Sequence, residues 1–198
     1  MRVQVRIVAG ALRGRKLTCD VTPELRPTPQ MVREALFSIL GNAVPDRPFF
    51  DVFAGTGVIG LEALSRGASS TDFVERDFRL GQEIERHLKA FDCAEEGRVR
   101  RADAYRWADY WSAPAEPVNV FLSPPFPDLQ RRPEDLVNLV ATLQRKLHPG
   151  SVLVLQSERH SALDELPQRE QWEERRYGRN VLMIWLKEEN TPVDNPEV

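Results

Sequence analysis

Two short segments carry side chains at spacings from which chemistry can be built. The first, DVFAGTGVIG at Asp51–Gly60, sets Gly55, Gly57 and Gly60 in the G-x-G-x-x-G order, directly behind a strand-like run and at the opening of a helix-like one. Glycines here let the backbone turn sharply and approach a ligand, and an acid at the end of the next strand can take both hydroxyls of a ribose. Glu75 stands in that place, twenty residues beyond Gly55. The pattern points to a nucleoside-containing ligand. Asp51, four residues ahead of Gly55, narrows the choice, because a carboxylate there repels a pyrophosphate and favours a sulfonium or ammonium cation. S-adenosylmethionine fits best, with its ribose on Glu75, its positive end near Asp51 and its adenine amino group on Asp103, just after the third strand. A nicotinamide dinucleotide is the other ligand that this fingerprint formally accepts. Asp77 is read as the cap of a helix opening at Phe78.

The second segment is FLSPPFPD, Phe121–Asp128, an apolar run that stops at Ser123 and two prolines. Proline lacks a backbone donor, so pairing within a sheet ends there. In an open α/β sheet, ligands lie beyond the carboxyl ends of the strands, which makes this rigid end face the ligand held by the glycine loop. The Ser123 side chain and the Pro124 carbonyl can accept from the N–H groups of an amine, and Phe126 can stack on a planar base.

The elements that must position these groups are legible in the spacing. RPTPQMVREALFSILGN reads as a helix with Thr28 as cap, Pro29 in the first turn and Gly41 at its end. Met31, Val32, Ala35, Leu36, Ile39 and Leu40 form its buried face. Strands near 49–53, 71–75, 98–101, 118–122 and 151–156 alternate with helices near 58–66, 78–91 and 133–147, the rhythm of a parallel sheet. Gln171–Tyr177 and Val181–Lys187, joined through Gly178, read as a hairpin that adds an antiparallel member. Residues 3–8 and 15–17, on either side of Gly10 and Gly14, predict a small N-terminal hairpin. The expected division is a basic hairpin over 1–24, a catalytic domain over 25–187, and an acidic, unordered tail over 188–198.

Composition is that of one globular domain, with no apolar run near the roughly 20 residues of a spanning helix. MRVQVRIVAG alternates instead of presenting a secretory signal, which predicts a cytoplasmic protein. Cys19 and Cys93 have no metal-ligand spacing and read as reduced thiols. His87, His148 and His160 have no triad-like companions and read as surface residues. Trp107 and Trp111 read as a packing pair, and Arg175, Arg176 and Arg179 as a solvated turn or an accessory RNA contact. Residues 1–33 hold Arg2, Arg6, Arg13, Arg15, Lys16, Arg26 and Arg33 against Asp20 and Glu24, a local +5 that leaves −8 elsewhere in a chain of net charge −3. Such a basic patch on an acidic body suits a shaped nucleic-acid target better than broad nonspecific binding.

RIVAGALRGRKL at Arg6–Leu17, LRPT at Leu25–Thr28 leading into VREALF at Val32–Phe37, DVFAGTGVIGLEALSRGA at Asp51–Ala68, FVERD at Phe73–Asp77 and the strand ending in PPF occur in one order. In these the chain resembles, over roughly residues 5–187, the RsmD family, which methylates the exocyclic N2 of a guanine in bacterial 16S ribosomal RNA. The resemblance implies a class I S-adenosylmethionine-dependent methyltransferase: a Rossmann-like, mostly parallel seven-stranded α/β sheet with a C-terminal antiparallel hairpin, plus the N-terminal β-hairpin. It implies cofactor binding at Arg26, Pro27, Thr28, Asp51, Phe53, Ala54, Gly55, Gly57, Glu75, Asp103 and Ala104, and catalysis at Ser123, Pro124, Pro125 and Phe126 without a metal. It also implies phosphate contacts beside the pocket from Arg6, Arg13, Arg15 and Lys16. The implied partner is 16S rRNA in a partly or fully assembled 30S subunit, met by a cytoplasmic monomer. The family's pattern has Asp or Asn where this chain has Ser123, whose hydroxyl is uncharged and one bond shorter. Two other readings therefore stand beside the first: a catalytically weak or inactive RNA-binding assembly factor on the same fold, and a nicotinamide-dependent oxidoreductase.

Overall fold

Burial of the short apolar runs on both faces makes them parallel strands, as the sequence pattern requires. The computed structural model describes residues 2–22, 25–158 and 163–188. Strands β1 (Arg2–Arg6) and β2 (Lys16–Asp20) form an antiparallel two-stranded sheet. Strands β3 (Pro48–Val52), β4 (Ser70–Val74), β5 (Gly97–Arg100), β6 (Asn119–Leu122), β7 (Val152–Glu158), β8 (Glu173–Tyr177) and β9 (Asn180–Leu186) form a second sheet, in the order β5-β4-β3-β6-β7-β9-β8. Only β9 runs against its neighbours, the antiparallel member expected from the C-terminal hairpin. Helices α1 (Gln30–Leu40), α2 (Val58–Ser65), α3 (Phe78–Ala90), α4 (Ala104–Tyr110), α5 (Asp128–Arg131) and α6 (Pro133–Lys146) cover it. The sequence reading contained neither α4 nor α5, which span only seven and four residues, too short to show a helical period. The acidic tail from residue 189 onward and His160 lie outside the described residues.

Two apolar clusters hold the layers together. One joins α1, α2 and α3 to Phe49, Phe73 and Phe121 of the sheet, and it includes Ile7, Leu12, Leu17 and Cys19 of the N-terminal hairpin. The other packs α4 and α6 against the opposite face. There Trp107 and Trp111, 5.1 Å apart, close on Phe50 at 6.1 and 5.0 Å, so that pair is packing, as its spacing suggested. Cys19 and Cys93 are free thiols, and burial pushes Cys19 up to about 11, out of the reactive range.

Helix α1 ends at Gly41 as expected but departs from its expected N-terminal cap and face. Its N-cap is Pro29, without a side-chain cap bond, because the Thr28 hydroxyl donates instead to Gln156 Oε1 at 2.9 Å. Met31 is 57% exposed, while Phe37 and Arg33 take buried positions. His87 also differs from its expected surface placement. It is half-buried, its ring stacks on Phe91 at 6.1 Å, and burial lowers its pKa.

The largest correction concerns Arg33, counted above in the basic N-terminal patch. It is 2% exposed. Its Nε donates to Glu62 Oε2 at 3.0 Å, Nη1 to the Thr28 carbonyl at 2.7 Å and Nη2 to the Arg6 carbonyl at 2.9 Å. Glu62, on α2 and fully buried, also accepts from Arg66 Nη2 at 3.1 Å and the Val8 N–H at 3.3 Å. One ion pair thus joins the hairpin, the turn before α1, and α2. Arg33→Met strands the Glu62 carboxylate in the core. It is expected to lower unfolding free energy by about 3–5 kcal/mol in urea titrations, with part of the loss recovered in R33M/E62Q.

Candidate functional site

A cleft of about 760 Å³ opens across the carboxyl ends of β4, β3, β6 and β7, and the turn Leu25–Pro29 forms one wall. Arg26, Pro27, Thr28, Asp51, Phe53, Ala54, Gly55, Glu75, Asp103, Ala104 and the run Ser123–Phe126 all line it. Residues a hundred positions apart in the chain thus share one cavity, because every parallel strand delivers its carboxyl end to the same edge.

Gly57 is not among the lining residues. It adopts φ 72°, and a Cβ there would lie 2.8 Å from Ile84 Cγ1, so it shapes the loop from behind. Gly60 serves packing: a Cβ there would lie 2.2 Å from Phe73 Cε1, and only glycine lets α2 sit this close to β4.

Backbone donors hold the acids. Glu75 Oε2 accepts the Gly55 N–H at 2.8 Å and its Oε1 the Asp77 N–H at 2.8 Å, which fixes the carboxylate at the tip of β4 beside the glycine loop. Asp77 Oδ1 accepts from the N–H groups of Arg79 and Leu80 and caps α3 as its position suggested. Asp103 is also a cap: Oδ1 accepts the Tyr105 N–H at 3.0 Å and Oδ2 faces Arg132 Nη1 at 4.0 Å. Asp51 is 1% exposed and accepts the Gly60 N–H at 2.9 Å. Its pKa is pushed up to about 8, chiefly by burial and secondarily by the charge of Glu75, against the lowering effect of the Gly60 bond. Burial therefore favours the protonated form well above the ordinary carboxylate range, where the sequence alone suggested a plain carboxylate.

At the far end, the Ser123 N–H donates to the Val52 carbonyl at 3.2 Å, the last link between β3 and β6. Two prolines follow, and pairing stops. The carbonyls of Pro125, Phe126 and Pro127 are taken up by the N–H groups of Asp128–Arg131. The Pro124 carbonyl has no such donor among the described residues, and the Ser123 hydroxyl has no hydrogen bond among them. Thr28, Gln156 and Asn180 form a buried chain beneath, in which Gln156 Nε2 donates to Asn180 Oδ1 at 3.2 Å.

The hairpin cations are not beside this cleft. Helices α2 and α3 start at the carboxyl ends of β3 and β4, so their last residues lie at the opposite edge of the sheet. The hairpin turn is docked there: the Ser65 carbonyl accepts the Ala11 N–H at 2.7 Å, Ser65 Oγ accepts the Leu12 N–H at 2.9 Å, and Arg15 reaches the Ala90 carbonyl at 3.4 Å. Arg13, Arg15 and Lys16 thus sit at or near the turn, away from the cavity; Arg6, farther along the hairpin, is exposed but does not line it. The lining residues that sequence reasoning left unassigned include Gln156, Asn180, Arg131 and Asp128. Of these, Gln156 had a visible signal, as an amide closing the apolar run VLVLQ.

The family model described as "Conserved hypothetical protein 95" matches residues 5–186. Ribosomal RNA small subunit methyltransferase D of Escherichia coli (strain K12) is 39% identical over 124 residues, 62% of this chain and 61% of that protein. The chain therefore spans about three fifths of that relative's length. The putative rRNA methyltransferase YlbH of Bacillus subtilis (strain 168) is 32% identical over 166 residues, 83% of this chain and 86% of that protein. Among solved structures, the putative methyltransferase yhhF from Escherichia coli superposes with a TM-score of 0.76 at 31% identity, covering 94% of this chain and 99% of that one. The architecture is the Rossmann-like class I methyltransferase fold.

The state of Asp51 is measurable without ligand. Its folded pKa lies above the ordinary 3.8, so the unfolded chain releases the proton first. Stability then falls as pH rises from about 4 to about 8, by at most about 1.4 kcal/mol per pH unit from this group. Asp51→Asn removes that slope. The variant's melting temperature is expected to match wild type near pH 4 and to exceed it by several degrees at pH 8 in calorimetry.

Proposed function

The chain belongs to the family described as conserved hypothetical protein 95, and from that membership and the cleft we propose that it is an S-adenosylmethionine-dependent methyltransferase acting on the exocyclic N2 of a guanine in 16S ribosomal RNA. The observation that carries this reading is one cavity holding two unlike ends. At one end is a ribose-type acid clamped to the glycine loop, and at the other a proline-stiffened strand tip with open acceptors.

The residues fit the cofactor. Asp51, Glu75, Asp77 and Asp103 line its side of the cleft; Glu75, Asp77 and Asp103 suit an ammonium and ribose hydroxyls and oppose the pyrophosphate of a dinucleotide, while Asp51 suits a sulfonium by ionising beside it. When bound, S-adenosylmethionine supplies an electrophilic methyl group on a positively charged sulfur. Glu75, its orientation fixed by the Gly55 and Asp77 N–H groups, holds the ribose hydroxyls. Asp103 keeps Oδ1 on its helix cap and turns Oδ2 to the adenine amino group. With a cation bound beside it, Asp51 would favour its ionised form and release to solvent the proton that burial retains.

The chemistry at the other end follows from the nucleophile. A guanine amino nitrogen shares its lone pair with the ring, so it must be pyramidalised before it attacks. The Ser123 hydroxyl and the Pro124 carbonyl accept from its two N–H groups, and Phe126 stacks on the base and fixes the line of approach. Burial of Pro124 behind the Ser123–Val52 link keeps that carbonyl from moving away. The base reaches this tip by leaving its stack, as for nucleobase-modifying enzymes generally. The 30S particle, in the cytoplasm, is the proposed setting, with the chain acting as a monomer.

Incubation with tritiated S-adenosylmethionine and undermethylated 30S particles is expected to label 16S rRNA, with N2-methylguanosine identified by mass spectrometry. Label on another atom, or none, overturns the reading. Ser123→Ala is expected to lower kcat about tenfold, the equivalent of one neutral hydrogen bond, with S-adenosylhomocysteine affinity in calorimetry unchanged.

A further inference from the structure

We propose that Arg131 and Arg179 form a two-sided phosphate clamp at the acceptor end of the cleft, holding the RNA strand on either side of the base that enters. The inference rests on the reading of RNA as substrate and adds the residues that position it.

The sheet order locates the two arginines. Glu75 and Asp103 follow β4 and β5, at one end of the cleft, and Ser123 follows β6, toward the other. Arg131 ends α5, directly behind the S-P-P-F tip, and Arg179 lies in the turn between β8 and β9, on the other side of β7. Both line the cavity and both are exposed. They stand on separate walls around the acceptor tip and away from the ribose acid.

Their lack of internal partners distinguishes them from the arginines beside them. Arg132, the next residue, donates to Asp135 at 2.7 Å and lies 4.0 Å over the Tyr105 ring. On the same hairpin as Arg179, Arg176 donates to Glu174 at 2.6 Å and Arg175 is paired with Glu173. Among the described residues, neither Arg131 nor Arg179 has a carboxylate within 4.0 Å. Arg26 and Arg76 also line the cleft without an ion pair among the described residues, but Arg26 lies on the turn wall and Arg76 beside Glu75 at the ribose end; Arg131 and Arg179 are the two that flank the acceptor tip, placed for an external anion.

The substrate supplies that anion in a fixed place. A guanine turned out of its stack is neutral and meets the Ser123–Phe126 tip, while the phosphates on its two sides remain at the mouth. Guanidinium matches phosphate oxygens through paired N–H donors. The hairpin cations Arg13, Arg15 and Lys16 cannot substitute, since the Ser65 and Ala90 contacts fix their turn at the opposite edge of the sheet.

The test compares wild type, R131Q, R179Q, R131Q/R179Q and the paired-arginine control R176Q. Binding to undermethylated 30S particles is measured by fluorescence anisotropy across a salt series, alongside methyl-transfer kinetics and S-adenosylhomocysteine calorimetry. Each single variant is expected to lower the salt slope by about 0.7–0.9 and the double variant by about 1.5. KM for particles is expected to rise roughly tenfold in the double variant, the scale of two lost phosphate contacts. The affinity for S-adenosylhomocysteine and the behaviour of R176Q should stay at wild-type values. Particle binding unchanged in R131Q/R179Q overturns the clamp alone, as does an equal loss in R176Q. Absence of salt-dependent binding by the wild type overturns the clamp together with the RNA reading beneath it, while absence of transfer with binding and salt slopes as expected overturns the catalytic reading and supports the clamp.

Discussion

The buried contact between Arg33 and Glu62 is the constraint on which the working geometry depends. Two charges removed from water are unfavourable unless every donor and acceptor finds a partner. Arg33 satisfies this with Glu62, Thr28 and Arg6, and Glu62 with Arg33, Arg66 and Val8. Those partners lie on the hairpin, on the turn that walls the cleft and on the helix that opens from the glycine loop. The pair is thus a positional device more than a source of stability. A shift of any one element leaves a buried charge without its bonds, so the three move as one body.

The same economy of backbone donors runs through the cleft. Glu75, Asp77, Asp103 and Asp51 each accept from a main-chain N–H at a strand tip or helix start. For the first three, the bond fixes an acid that stays accessible to a ligand. Asp51 is different, because burial outweighs its single bond and holds the proton on. Its charge is thus conditional on what occupies the cavity, a property that residue type does not reveal.

Pairing decides what the many arginines of this chain are available for. About half of those on the body pair with a carboxylate on the same helix or strand, on the adjacent strand or on a neighbouring helix. Surface pairs of this kind contribute little to stability, but they remove a cation from the field that an approaching polyanion meets. The basic surface is therefore set less by the count of arginines than by which ones lack a neighbouring acid.

The sequence by itself determined the sheet and its reversal at β9, since strand and helix periods are local properties written in apolar spacing and ended by glycine and proline. It also determined the membership of the cleft for nearly every residue of the glycine loop, Glu75 and the S-P-P-F tip, because parallel strands must deliver their carboxyl ends to one edge. Only the tertiary structure decided which polar groups are partnered. Thr28 became a bond to Gln156 instead of a cap, Arg33 became a buried ion instead of a surface charge, and the hairpin turn docked at the far edge of the sheet. Each of these joins residues from about 29 to 128 positions apart. Such contacts are selected by desolvation and geometry in the packed core, and no local pattern in the chain records them.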